Sequence, residues 1–295
     1  MKYTKVLGKL LRENEVLIAC HQGSAGGNIA YNTYRSMLNA INQGAHIVEF
    51  DISKTSDGVF HVFHENEESI RFNRDEKFRT FTAEEIKEQT LFNMNMQAVE
   101  APPTLKVFME NMKKHPNILL HFDHVQKWGK ELLEDLDQYE DQRQSIILKT
   151  DVAATECLEA LAAHDVKYMT LPKVWNQDNF NKIMEYKDKI NIVGFEMIFD
   201  DPNADYVSKE KLEQLRQMGY HTMINAIVLW NDRQSLCGGF DDDVSLLENP
   251  ELGWGKLFEM GFDIIQTDWP LPLKNYLEKK GVKLVYENSK SKISL

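Results

Sequence analysis

Short runs dominated by Val, Ile, Leu and Phe alternate along the chain with longer amphipathic stretches. The runs are "VLIACHQ" (16–22), "HIVEFDIS" (46–53), "NILLHFDH" (117–124), "SIILKT" (145–150), "KYMTLPKV" (167–174), "NIVGFEMIF" (191–199), "HTMINAIVL" (221–229) and "DIIQTD" (263–268). Each predicts a buried strand. A further run, "VFHVFH" (59–64), follows the Asp-Gly turn of "TSDGV". Helical patterns occupy 30–43, 127–138, 151–164, 176–187, 207–218 and 251–260, and "PPTLKVFMENMKK" predicts a helix with proline in its first turn. Strands alternating with helices predict a parallel sheet, and eight strands close an α/β TIM (β/α)8 barrel. The alternative is an open doubly wound sheet, which usually carries a glycine-rich phosphate loop at its first turn. Here that turn reads "HQGSAGGN", with neither GxGxxG nor GKS or GKT. Residues 65–102 are polar and irregular and predict an insertion at the barrel mouth; the rest reads as one domain over 1–295.

Composition narrows the partners. The formal net charge is −12, which repels nucleic-acid backbones and anionic lipid, so no nucleic-acid partner is expected. The three cysteines, Cys20, Cys157 and Cys237, are odd in number and form no CxxC pair. A reduced compartment is expected. The first twenty residues lack a secretory pattern and no window reaches the roughly 18 apolar residues of a membrane span, so a cytoplasmic location is expected and no integral membrane segment.

The candidate chemistry sits at strand ends, where barrels collect it. Glu49 and Asp51 are two apart on one strand and share a face. Two carboxylates converging in a low-dielectric pocket repel, and a hard divalent cation, Mg²⁺ or Ca²⁺, removes that repulsion. Asp123 ends another strand and adds a third acid. His21 and His64 end neighbouring runs and are suited to proton transfer near neutral pH. His61, three residues before His64, is expected on the opposite side of its strand. His121 shares a face with Asp123, and His124 is expected to face the helices. His46, His115, His164 and His221 carry no partner pattern. Glu196 and Asn225 are candidates for the same face as the acids. Trp230, Trp254 and Trp269 fall near loops at the mouth, where ordinary packing is the simpler role.

These residues resemble the glycerophosphodiester phosphodiesterase family of TIM barrels. The family pattern His-Arg-Gly, Pro-Glu-Asn-Thr, Gly-Ala-Asp with Glu-x-Asp, Thr-x-Asp-Gly and a strand ending in His-Asp is met here by "HQG" (21–23), "AYNT" (30–33), "GAHIVEFD" (44–51), "TSDGV" (55–59) and "VFHE" (62–65). "PPTLKVFME" and "GFDIIQTDWP" (261–270) resemble its Pro-Thr-Leu and closing Thr-Asp-x-Pro segments. The resemblance implies that His21 and His64 are the acid/base pair and that Glu49 and Asp51 hold one divalent cation. Asp123 stands where the family has the glutamate of Glu-x-Lys. It further implies a small phosphodiester substrate, cleaved to an alcohol and glycerol phosphate.

Three family positions differ. The arginine of His-Arg-Gly is Gln22, the lysine of Glu-x-Lys is Val125 and the glutamate of Pro-Glu-Asn-Thr is Tyr31. Gln22 keeps a place at the substrate but loses a charged bidentate contact. Lys149 and Lys173, at the next two strand ends, are the expected replacements. The losses leave two other readings open: a barrel that binds a metal or phosphorylated ligand without catalysis, and a Lys149- or Lys173-dependent sugar-phosphate aldolase or isomerase.

Overall fold

The computed structural model describes residues 5–229 and 235–287. In chain order the strands are β1 (Leu17–Cys20), β2 (Ile47–Lys54), β3 (Phe60–Val62), β4 (Leu119–Asp123), β5 (Ile146–Asp151), β6 (Met169–Val174), β7 (Gly194–Met197), β8 (His221–Asn225) and β9 (Ile264–Thr267). The helices are α1 (Lys5–Glu13), α2 (Tyr34–Asn42), α3 (Glu68–Arg71), α4 (Ala83–Lys87), α5 (Leu105–Met112) and α6 (Gly129–Leu136). They continue as α7 (Thr155–Ala163), α8 (Gln177–Met184), α9 (Lys209–Gln217), α10 (Trp254–Met260) and α11 (Pro270–Lys279).

Eight strands pair in parallel in the order β1-β9-β8-β7-β6-β5-β4-β2, and β1 pairs again with β2 to close the ring. This is the expected TIM barrel. β3 is antiparallel to β2 and stands outside the ring. β2 is the longest strand at 8 residues. It overshoots the mouth, turns at 55–59, and β3 brings the chain back, with the Phe63 N–H donating to the Asp51 carbonyl at 3.0 Å.

The strands have two apolar faces because both sides are covered. Outward side chains meet the helices; Phe50, for instance, lies 4.5 Å from the ring centres of both Phe108 on α5 and Phe122 on β4. Burying one such side chain is worth about 1.5–3 kcal/mol. Inward side chains at the amino ends, among them Leu17, Ile47, Leu119 and Ile264, pack with Leu7 and Leu10 of α1. That amphipathic helix stoppers the floor.

Local signals set the helix starts. Thr33 and Ser36 form a reciprocal capping box at α2. At α5 the cap is Thr104, so the two prolines precede the helix instead of filling its first turn. The 65–102 segment is more ordered than its polarity suggests. It holds α3 and α4 and its own apolar cluster of Phe63, Phe72, Phe78, Ile86 and Leu91. α11 follows directly on the last barrel strand. Among the described residues no helix is long and apolar enough to cross a membrane.

Candidate active site

Following one face of each strand from floor to mouth, the barrel interior changes character. On β2 the inward series is Ile47, Glu49, Asp51; on β4 it is Leu119, His121, Asp123, in register with the first. On β6 it is Met169, Leu171, Lys173, and on β5 Ile147 gives way to Lys149. A strand of period two can thus be apolar at one end and charged at the other without exposing its outer face.

The charged ends converge. One oxygen each from Glu49, Asp51 and Asp123 lies within 4.8 Å of the others. Each acid is anchored by hydrogen bonds or an ion pair; at Asp123, Oδ1 accepts the His124 backbone N–H (2.5 Å) and Oδ2 faces Lys149. Gln22 donates its backbone N–H to Glu49 Oε2 (3.0 Å) and its side-chain amide to Asp51 Oδ2 (2.9 Å). Asn32 also donates to Asp51 Oδ2 (2.9 Å) and accepts the Asp51 backbone N–H (3.1 Å). Gln22 and Asn32 both adopt left-handed backbone conformations, with φ of 50° and 57°, that turn these amides inward. Lys149 Nζ lies 2.9 Å from Asp123 Oδ2 and 3.1 Å from Glu196 Oε2. Among the described residues no hydrogen bond reaches Glu49 Oε1. The donor set is oxygen-rich, acidic and held by outer hydrogen bonds, which fits a hard divalent cation.

The electrostatics carry the same signature. Burial, with Asp51 beside it, pushes the Glu49 carboxyl up to about 8. Burial also acts to raise Asp51 and Asp123 but is outweighed, by the imidazoles of His64 and His124 at Asp51 and by the Lys149 ammonium at Asp123. The site accumulates carboxylates faster than it supplies cations.

His21 leaves β1 beside Asp268, because Cys20 and Thr267 are partners in the β1–β9 ladder. Its Nδ1 lies 2.9 Å from Asp268 Oδ1. Burial acts to lower the imidazole, but the Asp268 carboxylate wins and carries it up to about 10. Asp268 is itself placed by buried Asp242, which accepts the Asp268 backbone N–H (2.9 Å), the Thr267 hydroxyl (2.7 Å) and the Trp254 indole N–H (2.7 Å). His64 follows β3 and returns to the mouth, its Nδ1 3.6 Å from Glu67 Oε1.

A cavity of about 490 Å³ opens above these groups, lined by His21, Gln22, Tyr31, His64, Glu67 and Arg71 among others. Arg71 is the one arginine in its lining among the described residues. Nε donates to Glu67 Oε2 (2.7 Å) and the guanidinium lies 4.7 Å from the Tyr31 ring centre, over its face. No hydrogen bond among the described residues engages its two terminal nitrogens.

The glycerophosphoryl diester phosphodiesterase family matches residues 21–215, more than half of the chain. The chain belongs to that family. A second family, described as a domain of unknown function, matches residues 168–277. No curated protein matches the chain. Among solved structures, the chain is similar to a glycerophosphoryl diester phosphodiesterase from Parabacteroides distasonis, with a TM-score of 0.73 at 16% identity over 98% of this chain and 96% of that one. It is also similar to an Oleispira antarctica phosphodiesterase in complex with its product sn-glycerol-3-phosphate, with a TM-score of 0.64 at 17% identity over 92% and 99% of the two chains. A third, the glycerophosphodiester phosphodiesterase of Thermotoga maritima, gives 0.60 at 18% identity over 88% and 98%. These neighbours share the barrel; the family match carries the enzyme class, a phosphoric diester hydrolase.

As a glycerophosphoryl diester phosphodiesterase the chain is unusual in its cations. Gln22, at the family arginine, spends its side chain on Asp51. Lys149 is buried and fully engaged by two acids, whereas Lys173 makes no ion pair within 4 Å among the described residues. His124 corrects an expectation. It lies against His64, ring centres 4.7 Å apart, and not against the helices. Its backbone is left-handed at φ 62°, which interrupts the strand alternation just past Asp123. His124 therefore swings to the mouth and Val125, at the family lysine, drops into the outer core. His61 lies away from the acids as expected, buried edge-on to Phe78. Among the described residues both ring nitrogens of His121 lack hydrogen-bond partners, and burial lowers it to about 3, so it is a neutral spacer beneath the acids. Glu196 and Asn225 are buried on the interior face, the Asn225 amide 3.5 Å from Glu196 Oε1. Trp254 is core, Trp269 is half-exposed, and Trp230 lies outside the described residues.

Sequence reading alone passes over Glu67, Arg71 and the roles of His124 and Asp268. Asp268 has a signal, the Thr-Asp-x-Pro segment. Arg71 has none, since α3 is a four-residue helix without periodicity.

Proposed function

We propose that the protein hydrolyses glycerophosphodiesters, or a related polyol phosphodiester, to an alcohol and glycerol phosphate with the help of one divalent cation, Mg²⁺ or Ca²⁺. The observation that carries this is the meeting of Glu49, Asp51 and Asp123 beneath a cavity flanked by His21 and His64. The three carboxylates would hold the cation, which when bound supplies Lewis acidity at the phosphoryl group.

The chain's own residues do the rest. His21 commits Nδ1 to Asp268, leaving Nε2 for the substrate and favouring the imidazolium, so it is the acid that protonates the departing alcohol. His64, also in the cavity lining, is the base for the nucleophile's proton. Gln22 and Asn32 hold the carboxylates in orientation. Arg71, paired through Nε with Glu67 but with no hydrogen bond to its terminal nitrogens among the described residues, takes the anionic contact that Gln22 no longer makes, its planar fork suited to phosphoryl oxygens. Lys149 keeps Asp123 ionised. Held by two carboxylates and pushed well above the ordinary lysine range despite its burial, Lys149 is the opposite of an imine-forming amine, which counts against an aldolase built on Lys149.

The test is hydrolysis of glycerophosphocholine and bis(p-nitrophenyl) phosphate with Mg²⁺ or Ca²⁺. Turnover should fall by at least about 100-fold in His21→Ala and in Glu49→Gln, the scale of a lost general acid or a lost charge clamp. No turnover across a broad phosphodiester panel would replace this reading with that of a binding barrel without catalysis.

A further inference from the structure

We propose a second cation seat, made by Asp51, His64 and His124, that accepts a borderline transition-metal ion such as Zn²⁺ or Co²⁺. One donor atom from each of the three lies within 4.8 Å of the others. The Nδ1 atoms of both histidines are buried and, among the described residues, have no hydrogen-bond partner, that of His64 facing Glu67 Oε1 at 3.6 Å. His124 Nδ1 is 3.7 Å from Asp51 Oδ1, too long for a hydrogen bond and close enough for two donors on one ion. Buried ring nitrogens without partners are rare enough to require an account, and the left-handed turn at His124, whose N–H donates to Asp123 Oδ1 (2.5 Å), brings its ring to the mouth beside His64.

The donor chemistry separates this seat from the oxygen seat beside it. Two imidazoles and one carboxylate, with room for water, suit Zn²⁺, Co²⁺ or Fe²⁺ and are a poor match for Mg²⁺ or Ca²⁺. The two seats share Asp51, whose Oδ2 already accepts amide hydrogen bonds from Gln22 and Asn32. An ion in the nitrogen seat therefore competes for the remaining oxygen and takes His64 out of proton transfer. The seat stands on geometry alone; its effect on turnover rests on the function proposed above.

Binding of Co²⁺ to the metal-free protein, followed by its visible absorption, tests the seat without turnover. One equivalent should bind with the spectrum of nitrogen ligation. His124→Asn and His124→Gly both tolerate the left-handed backbone, and each should weaken Co²⁺ by more than about 10-fold, the least that losing even an outer-sphere partner costs. Glu49→Gln and Asp123→Asn should retain the Co²⁺ spectrum. Equal Co²⁺ affinity in wild type and both His124 variants, or a spectrum of oxygen ligands only, would overturn the seat. In the second arm, Zn²⁺ should inhibit Mg²⁺-supported hydrolysis of the wild type, with the inhibition constant raised by the same factor in His124→Asn. An unchanged inhibition constant would refute the competition. A protein that binds Co²⁺ as described but hydrolyses nothing keeps the seat and loses the phosphodiesterase reading.

Discussion

Asp268 lines the cavity and shows how much of the site depends on a residue that acts through another side chain. Its carboxylate stabilises the His21 imidazolium, so Asp268→Asn should lower the imidazole's proton affinity. The protonated fraction is then lost at lower pH, and the alkaline limb of the pH–rate profile should move downward. We expect kcat/KM to fall by about 10- to 100-fold, part of the 10²–10⁴ that a general acid supplies. KM should barely change, and an unmoved alkaline limb would remove Asp268 from the positioning role. At this scale much was legible in the sequence. Glu49, Asp51 and His21 sit on or at the end of regular strands, where a period of two fixes the face. His124 was misread because a single left-handed residue breaks that period, which no propensity signals for histidine.

Among the elements, the insertion matters most. Phe63, Phe72 and Phe78 stack with ring centres 4.7 Å apart in the two closest pairs, and this cluster supports α3 and with it Glu67 and Arg71. Phe78→Ala should destabilise this module by about 3–5 kcal/mol through the cavity it leaves. Limited proteolysis should then cut within 65–102 while the barrel resists, and hydrolysis should weaken with it. Uniform proteolysis of the whole chain would mean that the insertion and barrel fold as one unit. The barrel strands were readable from their apolar runs, and seven of the helices to within a few residues, whereas α1 and α11 were not anticipated. The insertion was not, because its core is assembled from scattered aromatics without either helical or strand spacing.

The whole molecule carries a pH dependence set far from the mouth. His46 is buried near the barrel floor, where its Nδ1 accepts the Ile18 backbone N–H at 3.0 Å and its ring stacks on Tyr286. An acceptor nitrogen cannot carry a proton, and burial lowers the imidazole to about 4 from its ordinary 6.5. The folded state thus binds fewer protons than the unfolded chain between these values. Stability contributed by His46 is complete above pH 6.5 and is lost as pH falls toward 4, by up to about 3 kcal/mol. Urea denaturation from pH 7 to 4 should show this slope, flattened in His46→Asn; an identical slope in the variant would assign the loss to other groups. At this scale the closed eight-strand ring was legible from the count of runs, while the closure of β1 on both β2 and β9 fixes which strand ends become neighbours.

The stoppered floor has its own consequence. Among the described residues, Leu7 and Leu10 of α1 pack against the lowest interior side chains, so the barrel axis is closed at the floor. Whatever reaches the carboxylates from the floor-to-mouth axis must depart the way it came. Under the proposed hydrolysis both products leave through the mouth, and whichever is seated deeper leaves last.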